Sequence, residues 1–256
     1  MRGSDYVFFL FERIPLLTSD RVETTFFAIL VLMSTDMSFS YEDAFSRNQG
    51  LITPEEQERI RHFTVAIPGM GGVGGAHLIS CVRQGFEKFK IADFDTYELK
   101  NFNRQYGARL DTIGRSKVEV MREAALGINP QCSFETYAEI TKENIDAFLH
   151  GVDLVIDSLD AFQIEARRLL FMEAHARKIP VITAGPIGFG TAFLIFMPGG
   201  PSFDRYFDIH DRMTTDAKLV AFFVGLVPSL LQRSYMRGTS IKERKGPSSI
   251  GSINLC

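Results

Sequence analysis

The sequence predicts an α/β protein built on a mostly parallel sheet with helices on both faces. Short runs rich in β-branched residues alternate along the chain with longer segments of helical apolar spacing. This alternation is typical of βαβ units, in which a helix joins two parallel strands and packs on the sheet. The composition agrees, since 45% hydrophobic and 23% charged residues are ordinary values for a globular chain of 256 residues.

The first elements carry clear boundary signals. Thr53 is the predicted N-cap of a helix, with Pro54 in the first helical position. A short strand is predicted over 63–67, and the helix predicted over 75–85 ends at Gly85, a residue type that commonly terminates helices. The other predicted strands cover 88–95, 133–137, 153–159, 180–185 and 191–198, and the other predicted helices cover 114–128, 141–149 and 161–177.

Charge and cysteine content exclude several classes of protein. A net charge of −3 gives no global basic field that would attract nucleic acid. The cysteines Cys81, Cys132 and Cys256 are far apart, which argues against a disulfide framework or a cysteine-rich zinc site and for a cytoplasmic location. Two apolar stretches, at 7–17 and 24–33, are shorter than the ~20 residues that span a bilayer, so we expect no membrane association.

A glycine-rich turn is the first candidate site. Gly69, Gly71 and Gly74 have the spacing G-x-G-x-x-G, directly after a predicted strand and at the start of a predicted helix. Glycines let the backbone approach a phosphate, and the positive end of the helix dipole favours its charge. Asp93 lies at the tip of the next strand, where a carboxylate can hold ribose hydroxyls. The context predicts a Rossmann-like nucleotide site, for which NAD(P) is one candidate ligand.

Two cations near this turn favour ATP over NAD(P). Arg104 lies in the loop 101–105 and Lys117 lies at the start of a predicted helix. A triphosphate that is about to be cleaved needs its charge neutralised, whereas the pyrophosphate of NAD can rest on backbone amides alone. For either cation taken alone, a solvated surface charge is the alternative interpretation.

A carboxylate beyond the strand at 153–159 completes the candidate site. Asp160 lies at the carboxyl edge of the predicted sheet, where ligands of open α/β sheets bind. A carboxylate that faces a triphosphate needs an intervening cation, and Mg²⁺ is the natural one. Asp157 is the competing ligand, and a helix-capping role is about equally compatible with its position.

These motifs together resemble the ThiF/MoeB/ubiquitin-activating superfamily of ATP-dependent adenylyltransferases. The resemblance covers residues 40–200, and the stretch at 112–121 also looks like its tRNA-modifying bacterial branch. The motifs that carry it are, in order, GMGGVGG, DFD at 93–95, NFNRQ, TIGRSKVEVM, INP and DSLD at 157–160. The implied fold is a Rossmann-like sheet of the ThiF/MoeB type.

The resemblance also implies roles for individual residues. Asp160 would hold Mg²⁺. Arg47 matches the arginine that family dimers insert into the ATP site of the neighbouring subunit, which implies a homodimer; a surface arginine is the alternative. The residues expected to contact the nucleotide are Gly69, Gly71 and Gly74 in the turn, Asp93 at the ribose, and Asn101, Arg104 and Lys117 at the phosphates.

The implied reaction is attack by a substrate carboxylate on the α-phosphate of ATP, which yields an acyl-adenylate and pyrophosphate. The carboxylate is already ionised near neutral pH, so positioning and charge stabilisation suffice without a general base. The substrate would be a ubiquitin-like protein C-terminus, a tRNA modification or a small molecule. The alternatives are an NAD(P)-dependent oxidoreductase and a non-catalytic nucleotide-binding protein.

The sequence departs from this family in two ways. Members that transfer the acyl group to a thiol have a cysteine in a loop that corresponds to 186–240, and this chain has none there, so a thioester step is disfavoured. Relatives also continue beyond the point where this chain ends. We therefore expect residues 37–256 to be a ThiF-type adenylyltransferase domain truncated at its C-terminus. Residues 1–36 precede the region of resemblance, and we expect them to be an extraneous or poorly ordered extension.

Overall fold

A computed structural model of the chain describes residues 38–235, apart from the side chains at 232 and 233. The chain divides into two compact units, Met1–Ser40 and Tyr41–Cys256, and the second contains the elements described below. The predicted extension at 1–36 and the C-terminal tail lie outside the described residues, so both expectations about the ends of the chain stay predictions.

The helices and strands alternate through the described region. The strands are β1 (Thr64–Pro68), β2 (Lys88–Ala92), β3 (Ser133–Tyr137), β4 (Leu154–Asp157), β5 (Val181–Ile187) and β6 (Gly190–Phe196). The helices are α1 (Tyr41–Ala44), α2 (Pro54–His62), α3 (Gly72–Gln84), α4 (Lys117–Leu126), α5 (Ile145–Leu149), α6 (Ile164–Ala176), α7 (Phe203–Phe207) and α8 (Thr215–Leu226). Short 3₁₀ turns lie at Ser46–Asn48, Leu99–Asn101, Leu110–Thr112 and Leu231–Ser234.

The strands form one sheet in the order β3-β2-β1-β4-β5-β6. Strands β1 to β5 run parallel, which confirms the predicted mostly parallel sheet. Strand β6 is antiparallel to β5, because only two residues connect them and a connection of that length makes a hairpin. The strand order reverses between β1 and β4, so a crevice is expected at their carboxyl ends.

Both faces of the sheet are covered by helices, as predicted. On one face, α3 and α4 pack against β1 and β2 around Ile67, Leu78 and Met121. On the other face, α5 to α8 pack around residues such as Phe148 and Leu170. In the described part of the chain, no helix is both long enough and apolar enough to span a membrane.

Side chains define the predicted helix ends. Thr53 caps α2 through a reciprocal pair of hydrogen bonds with Glu56, and Pro54 follows at the first helical position, as predicted. Gly85 ends α3 with a φ of 99°, a left-handed conformation that glycine adopts without strain. Both boundary predictions are confirmed.

Several predicted boundaries differ from the structure by two to four residues; β4, for example, ends at Asp157 rather than at 159, and α6 begins at Ile164 rather than at 161. Two further differences have the same physical reason. The strand predicted over 88–95 ends at Ala92, because the carboxylate of Asp93 accepts hydrogen bonds from backbone N–H groups and turns the chain. The helix predicted from 141 begins only at Ile145, because the Asn144 side chain accepts a hydrogen bond from the Thr141 N–H and holds a turn there.

Candidate nucleotide-binding site

A cavity of about 760 Å³ opens at the carboxyl ends of β1, β2, β4 and β5, where the strand order reverses. This volume is typical of small-molecule sites. The predicted site residues that line it are Gly69, Gly71, Asp93, Asn101, Arg104, Lys117 and Asp160. Gly74 and Arg47 are not among the lining residues.

The structure requires glycine at two of the three positions of the turn and leaves open space at the other. At Gly69, with a φ of 96°, an added Cβ would lie 2.2 Å from the carbonyl oxygen of Ser158. At Gly74, inside α3, it would lie 1.7 Å from the carbonyl oxygen of Gly69. At Gly71 the nearest atom would be Nε2 of Gln105, 3.8 Å away. Packing therefore requires the first and third glycines, whereas the bare backbone at Gly71 keeps space free at the cavity wall.

Asp93 connects the end of β2 to the glycine turn. Its Oδ2 accepts a hydrogen bond from the Met70 N–H at 2.7 Å, and its Oδ1 accepts one from the Asp95 N–H at 2.8 Å. Each carboxylate oxygen has more than one lone pair, so both can still accept from a ribose hydroxyl. Asp93, the residue predicted to bind the ribose, therefore lies at the cavity and also braces the glycine turn.

The loop after β2 brings Asn101 and Arg104 to the cavity. Asn101 is buried, and its Oδ1 accepts a hydrogen bond from the Glu98 N–H at 2.9 Å. The Arg104 guanidinium donates from Nη1 to the Lys100 carbonyl and to Oδ1 of Asn103. These contacts leave the remaining guanidinium N–H groups of Arg104 as donors for a phosphate.

Gln105 also lines the cavity, although its residue type and position alone predict no role for it. It is only 7% exposed, and its Oε1 has no hydrogen-bond partner among the described residues. An unsatisfied buried amide oxygen costs free energy, so a donor from a ligand or water is expected there. Its position next to Arg104 in the motif NFNRQ was the available signal.

Lys117 begins α4 and is almost fully buried at the cavity. Its Nζ donates to Oδ2 of Asp95 at 2.7 Å. The predicted phosphate cation therefore already has a carboxylate partner, the last residue of the motif DFD. A phosphate at this site would share Lys117 with Asp95 or displace that carboxylate.

Asp157 and Asp160 have opposite environments. Asp157 is buried, and its Oδ2 accepts hydrogen bonds from Arg167 Nε at 2.8 Å and from Thr183 Oγ1 at 2.9 Å. The helix-cap interpretation of Asp157 is wrong, because α6 begins only at Ile164, with Gln163 as its N-cap residue. The ion pair with Arg167 engages Oδ2 and disfavours a role as metal ligand. Asp160 is exposed at the cavity, and its Oδ1 accepts a hydrogen bond from the Phe162 N–H.

Arg167 shapes the loop that presents Asp160. Besides its ion pair with Asp157, its guanidinium donates to the carbonyl groups of Leu159, Asp160 and Ala161. A buried arginine with these partners fixes the path of the backbone after β4. No sequence signal marks this role, because an arginine within a predicted helix resembles an ordinary surface cation.

Arg47 lies exposed in the 3₁₀ turn Ser46–Asn48, away from the cavity of its own chain. The cysteines Cys81 and Cys132 are buried and do not line the cavity either. Burial raises the pKa of each thiol to about 12, so neither forms the nucleophilic thiolate near neutral pH. Among the described residues, no group of three or more His, Cys, Asp or Glu side chains could hold a metal ion.

The fold and the glycine turn at the point of strand reversal define a Rossmann-like α/β protein. The chain belongs to the ThiF family, whose model matches residues 45–236.

Curated relatives of the chain include enzymes of tRNA modification. It is 34% identical over 151 residues to tRNA threonylcarbamoyladenosine dehydratase of Haemophilus influenzae, covering 58% of this chain and 57% of that protein. It is 35% identical over 144 residues to the protein of the same name in Bacillus subtilis, covering 55% of each. The chain thus spans little more than half the length of these relatives.

Solved structures agree with this assignment. The Escherichia coli tRNA N6-threonylcarbamoyladenosine dehydratase TcdA, in complex with ATP, matches with a TM-score of 0.56 and 27% identity, covering 59% of this chain and 63% of that chain. The structure of PaaA matches over 93% of this chain and 81% of its own, with a TM-score of 0.57. Its identity of 20% shows a shared fold alone.

Proposed function

We propose that this protein is an ATP-dependent adenylyltransferase that activates a substrate carboxylate as an acyl-adenylate. The observation that carries the proposal is the convergence on one cavity of Gly71, Arg104, Lys117 and Asp160. A Mg²⁺-bound triphosphate needs open backbone at a helix N-terminus, cations for its phosphates and a carboxylate for its metal ion. Gly71 provides the first, Arg104 and Lys117 the second, and Asp160 the third. The complexes of TcdA with ATP and AMP support a nucleotide of this class.

The residues of the chain would act by position and charge. A carboxylate oxygen of the substrate forms a bond to the α-phosphorus, the bond from that phosphorus to the bridging oxygen breaks, and pyrophosphate leaves. Arg104, Lys117 and the N-terminus of α3 would stabilise the charge on the phosphate oxygens. The substrate is already an anion at neutral pH, so no side chain has to remove a proton.

Asp160 fits the proposed role in holding Mg²⁺. Its carboxylate is exposed at the cavity, whereas the Asp157 carboxylate is occupied by Arg167 and Thr183. Mg²⁺ commonly takes one or two protein carboxylates and completes its ligands with phosphate oxygens and water. When bound, it would neutralise charge on the phosphates.

The wider setting also belongs to the proposal. Arg47 would complete the ATP site of a second copy in a homodimer, because it is exposed and does not line its own cavity. A cytoplasmic location is part of the proposal as well. A thioester step through Cys81 or Cys132 is not supported, since both thiols are buried with raised pKa values.

The carrier of the carboxylate is a separate question. The names of the relatives make a modified tRNA one candidate and a ubiquitin-like protein another, and a small molecule is the third. NAD(P)-dependent oxidoreduction and nucleotide binding without catalysis are the competing functions.

ATP binding provides the first test. Calorimetry with MgATP should detect binding to the wild-type chain and a loss of about 100-fold in affinity or more for Arg104→Ala, since that charge pairs with phosphate in a partly buried site. Arg109→Ala is the matched control, because Arg109 lies in the same loop but pairs with Asp111 on the surface. Its affinity should equal that of the wild type.

Exchange of labelled pyrophosphate into ATP, measured with a panel of carboxylates, then tests catalysis. Exchange that depends on both a carboxylate and Arg104 would support adenylation. Tight NADH binding without ATP binding would contradict the proposal and favour an oxidoreductase. ATP binding with no exchange for any carboxylate, in a dimeric preparation, would favour the non-catalytic alternative.

A further inference from the structure

The strand order gives the cavity a direction. Asp93 after β2 marks the ribose, and the glycine turn after β1 marks the phosphates. The base then lies on the β3 side, where residues 138–140 line the cavity. Continuing past the phosphates, the edge passes Asp160 after β4 and reaches β5. Pyrophosphate leaves from the side of the α-phosphorus opposite the attacking carboxylate, and Arg104 and Lys117, the cations proposed to hold the phosphates, come from the loop after β2 and from α4. The attacking carboxylate then carries its acyl group toward the β5 side.

Among the described residues, no charged side chain lines the β5 side of the cavity. We call this side the acyl end and define it by the lining residues Ile187, Gly188, Phe189, Phe223, Leu226 and Tyr235. Ile187, Gly188 and Phe189 come from the β5–β6 hairpin, Phe223 and Leu226 come from α8, and Tyr235 directly follows the 3₁₀ turn Leu231–Ser234. The charged residues that line the cavity lie in other segments of the described chain, from Asp93 to Arg167.

The rings of the acyl end are held in place although they are accessible. Phe189 is 71% exposed, yet its ring centroid lies 5.6 Å from that of Tyr235. The Tyr235 hydroxyl accepts a hydrogen bond from the Phe189 N–H at 3.0 Å. At Gly188, with a φ of 63°, an added Cβ would lie 2.5 Å from that hydroxyl oxygen. The glycine therefore allows the tyrosine to fix the hairpin tip, which presents an aromatic ring at the cavity.

We infer that the acyl end binds the substrate and selects a small carboxylic acid with an apolar or aromatic acyl group. The inference rests on the proposed function and specifies its substrate class. Transfer of an apolar or aromatic group from water to the rings and aliphatic side chains of the acyl end is favourable. The occupant is an acyl group because the acyl end continues from the nucleotide part of the same cavity.

A polyanionic carrier is the competing occupant. An RNA gains a large share of its affinity from cations that contact its phosphates, and the described residues that line the acyl end include no cation. The observations therefore favour the small apolar acid, and a tRNA becomes one of the outcomes of the test.

The test uses two stable mimics of acyl-adenylates, the N-phenylpropionyl and the N-succinyl derivatives of sulfamoyl adenosine, with calorimetric titration of the full chain. The wild type should bind the phenylpropionyl mimic at least tenfold more tightly than the succinyl mimic. Phe189→Ala should weaken binding of the phenylpropionyl mimic about tenfold through lost apolar contact, and should leave the affinities for MgATP and the succinyl mimic unchanged.

Phe193→Ala is the matched control. Phe193 is 60% exposed on β6, four residues from Phe189, and it is not among the residues that line the cavity. Its variant should bind both mimics like the wild type. Equal losses in the two variants would contradict a specific role for Phe189 and overturn the inference.

The remaining outcomes separate the inference from the proposed function. Equal affinity for both mimics, or preference for the succinyl mimic, combined with normal MgATP binding would overturn the inference and leave adenylation standing. Pyrophosphate exchange with bulk tRNA but not with phenylpropionate would do the same. A wild-type chain that binds neither MgATP nor either mimic would overturn both.

Discussion

At one end of the cavity, half-buried and buried polar side chains are held by hydrogen bonds to the backbone and to one another. Asp93 braces the glycine turn, and Lys117 pairs with Asp95. At the acyl end, one hydroxyl group and one ring contact, both from Tyr235, hold the accessible ring of Phe189. The first arrangement has little freedom, because a buried polar group needs a partner at a defined distance. The second tolerates change, because apolar contact is not directional.

The comparison separates residues that hold the fold from residues that would meet a ligand. Asp157 lines the cavity and Gly74 lies beside it, but the contacts of both serve the protein interior. Asp160 and Gly71 lie within a few residues of them and have little to do for the fold. Each pair provides a matched experiment, since the same substitution can be made at both members.

The largest effect is expected at the aspartate pair. Asp157→Asn removes the charge that compensates the buried Arg167, so the free energy of unfolding should fall by about 3 kcal/mol. Asp160→Asn should change it by less than about 0.5 kcal/mol, because the side chain is exposed and the amide oxygen can still accept from the Phe162 N–H. Urea unfolding followed by circular dichroism measures both values.

Nucleotide binding should respond in the opposite order at this pair. If Asp160 holds Mg²⁺, Asp160→Asn should lose MgATP affinity while it keeps the stability of the wild type. Equal losses of unfolding free energy in the two variants would contradict the prediction, because the ion pair with Arg167 would then not make Asp157 more important for stability than Asp160.

The glycine pair should show the next largest effect. Gly74→Ala forces a Cβ against the Gly69 carbonyl oxygen and should destabilise the fold by about 2 kcal/mol. Gly71→Ala has ordinary space within the protein, so its stability should stay within about 0.5 kcal/mol of the wild type. The added methyl group would lie where a phosphate is expected, and MgATP affinity should fall about tenfold.

Thermal unfolding and calorimetry on the same preparations test this pair. A Gly71→Ala variant that unfolds like Gly74→Ala would mean that the first turn of α3 needs glycine at both positions for packing. Unchanged MgATP affinity in a stable Gly71→Ala variant would place the phosphates elsewhere.

The nucleotide part of the cavity was largely predictable from the sequence, because its residues belong to short motifs with fixed spacing. Gly69, Gly71, Asp93 and Arg104 were all identified this way, and the structure brings them together. The partners of charged residues were not predictable. Asp157 was interpreted as a ligand or cap, because nothing in a helical pattern marks Arg167 as the residue that turns inward to pair with it.

The acyl end had no sequence signature. Phe189, Phe223 and Tyr235 come from three segments, and only the hairpin between β5 and β6 and the packing of α8 bring them to one cavity. The sequence predicted the strands on either side of the hairpin but not that β6 runs antiparallel. Contacts that depend on the topology of the sheet rather than on the spacing of motifs therefore could not be predicted from the sequence.

The smallest predicted effect concerns the anchoring of α8, which carries Phe223 and so supports the acyl end. Lys218 on α8 donates to Glu165 on α6, and this hydrogen bond, with a further one from Arg168, holds the pKa of the Glu165 carboxyl below its usual value. Because the folded-state pKa is the lower one, the pair adds stability above the unfolded-state pKa of about 4.5, and that stability is lost as the pH falls through the folded-state value. The Glu165 side chain is more than half exposed, so Glu165→Gln should cost only about 0.5 kcal/mol at pH 7.

This difference from the wild type should shrink as the pH is lowered below 4.5, where the wild-type carboxyl is also losing its charge. Urea unfolding at pH 7 and pH 3.5 provides the measurement. Glu173→Gln is the matched control, since Glu173 lies on the same helix but pairs with Arg177, the C-cap residue of α6, and does not contact α8 through that pair. It should leave the affinity for the phenylpropionyl mimic unchanged, whereas Glu165→Gln should lower it slightly at pH 7. A Glu165→Gln defect of the same size at both pH values would mean that the side chain acts through packing rather than charge, because only a charge interaction disappears when the carboxyl takes up a proton.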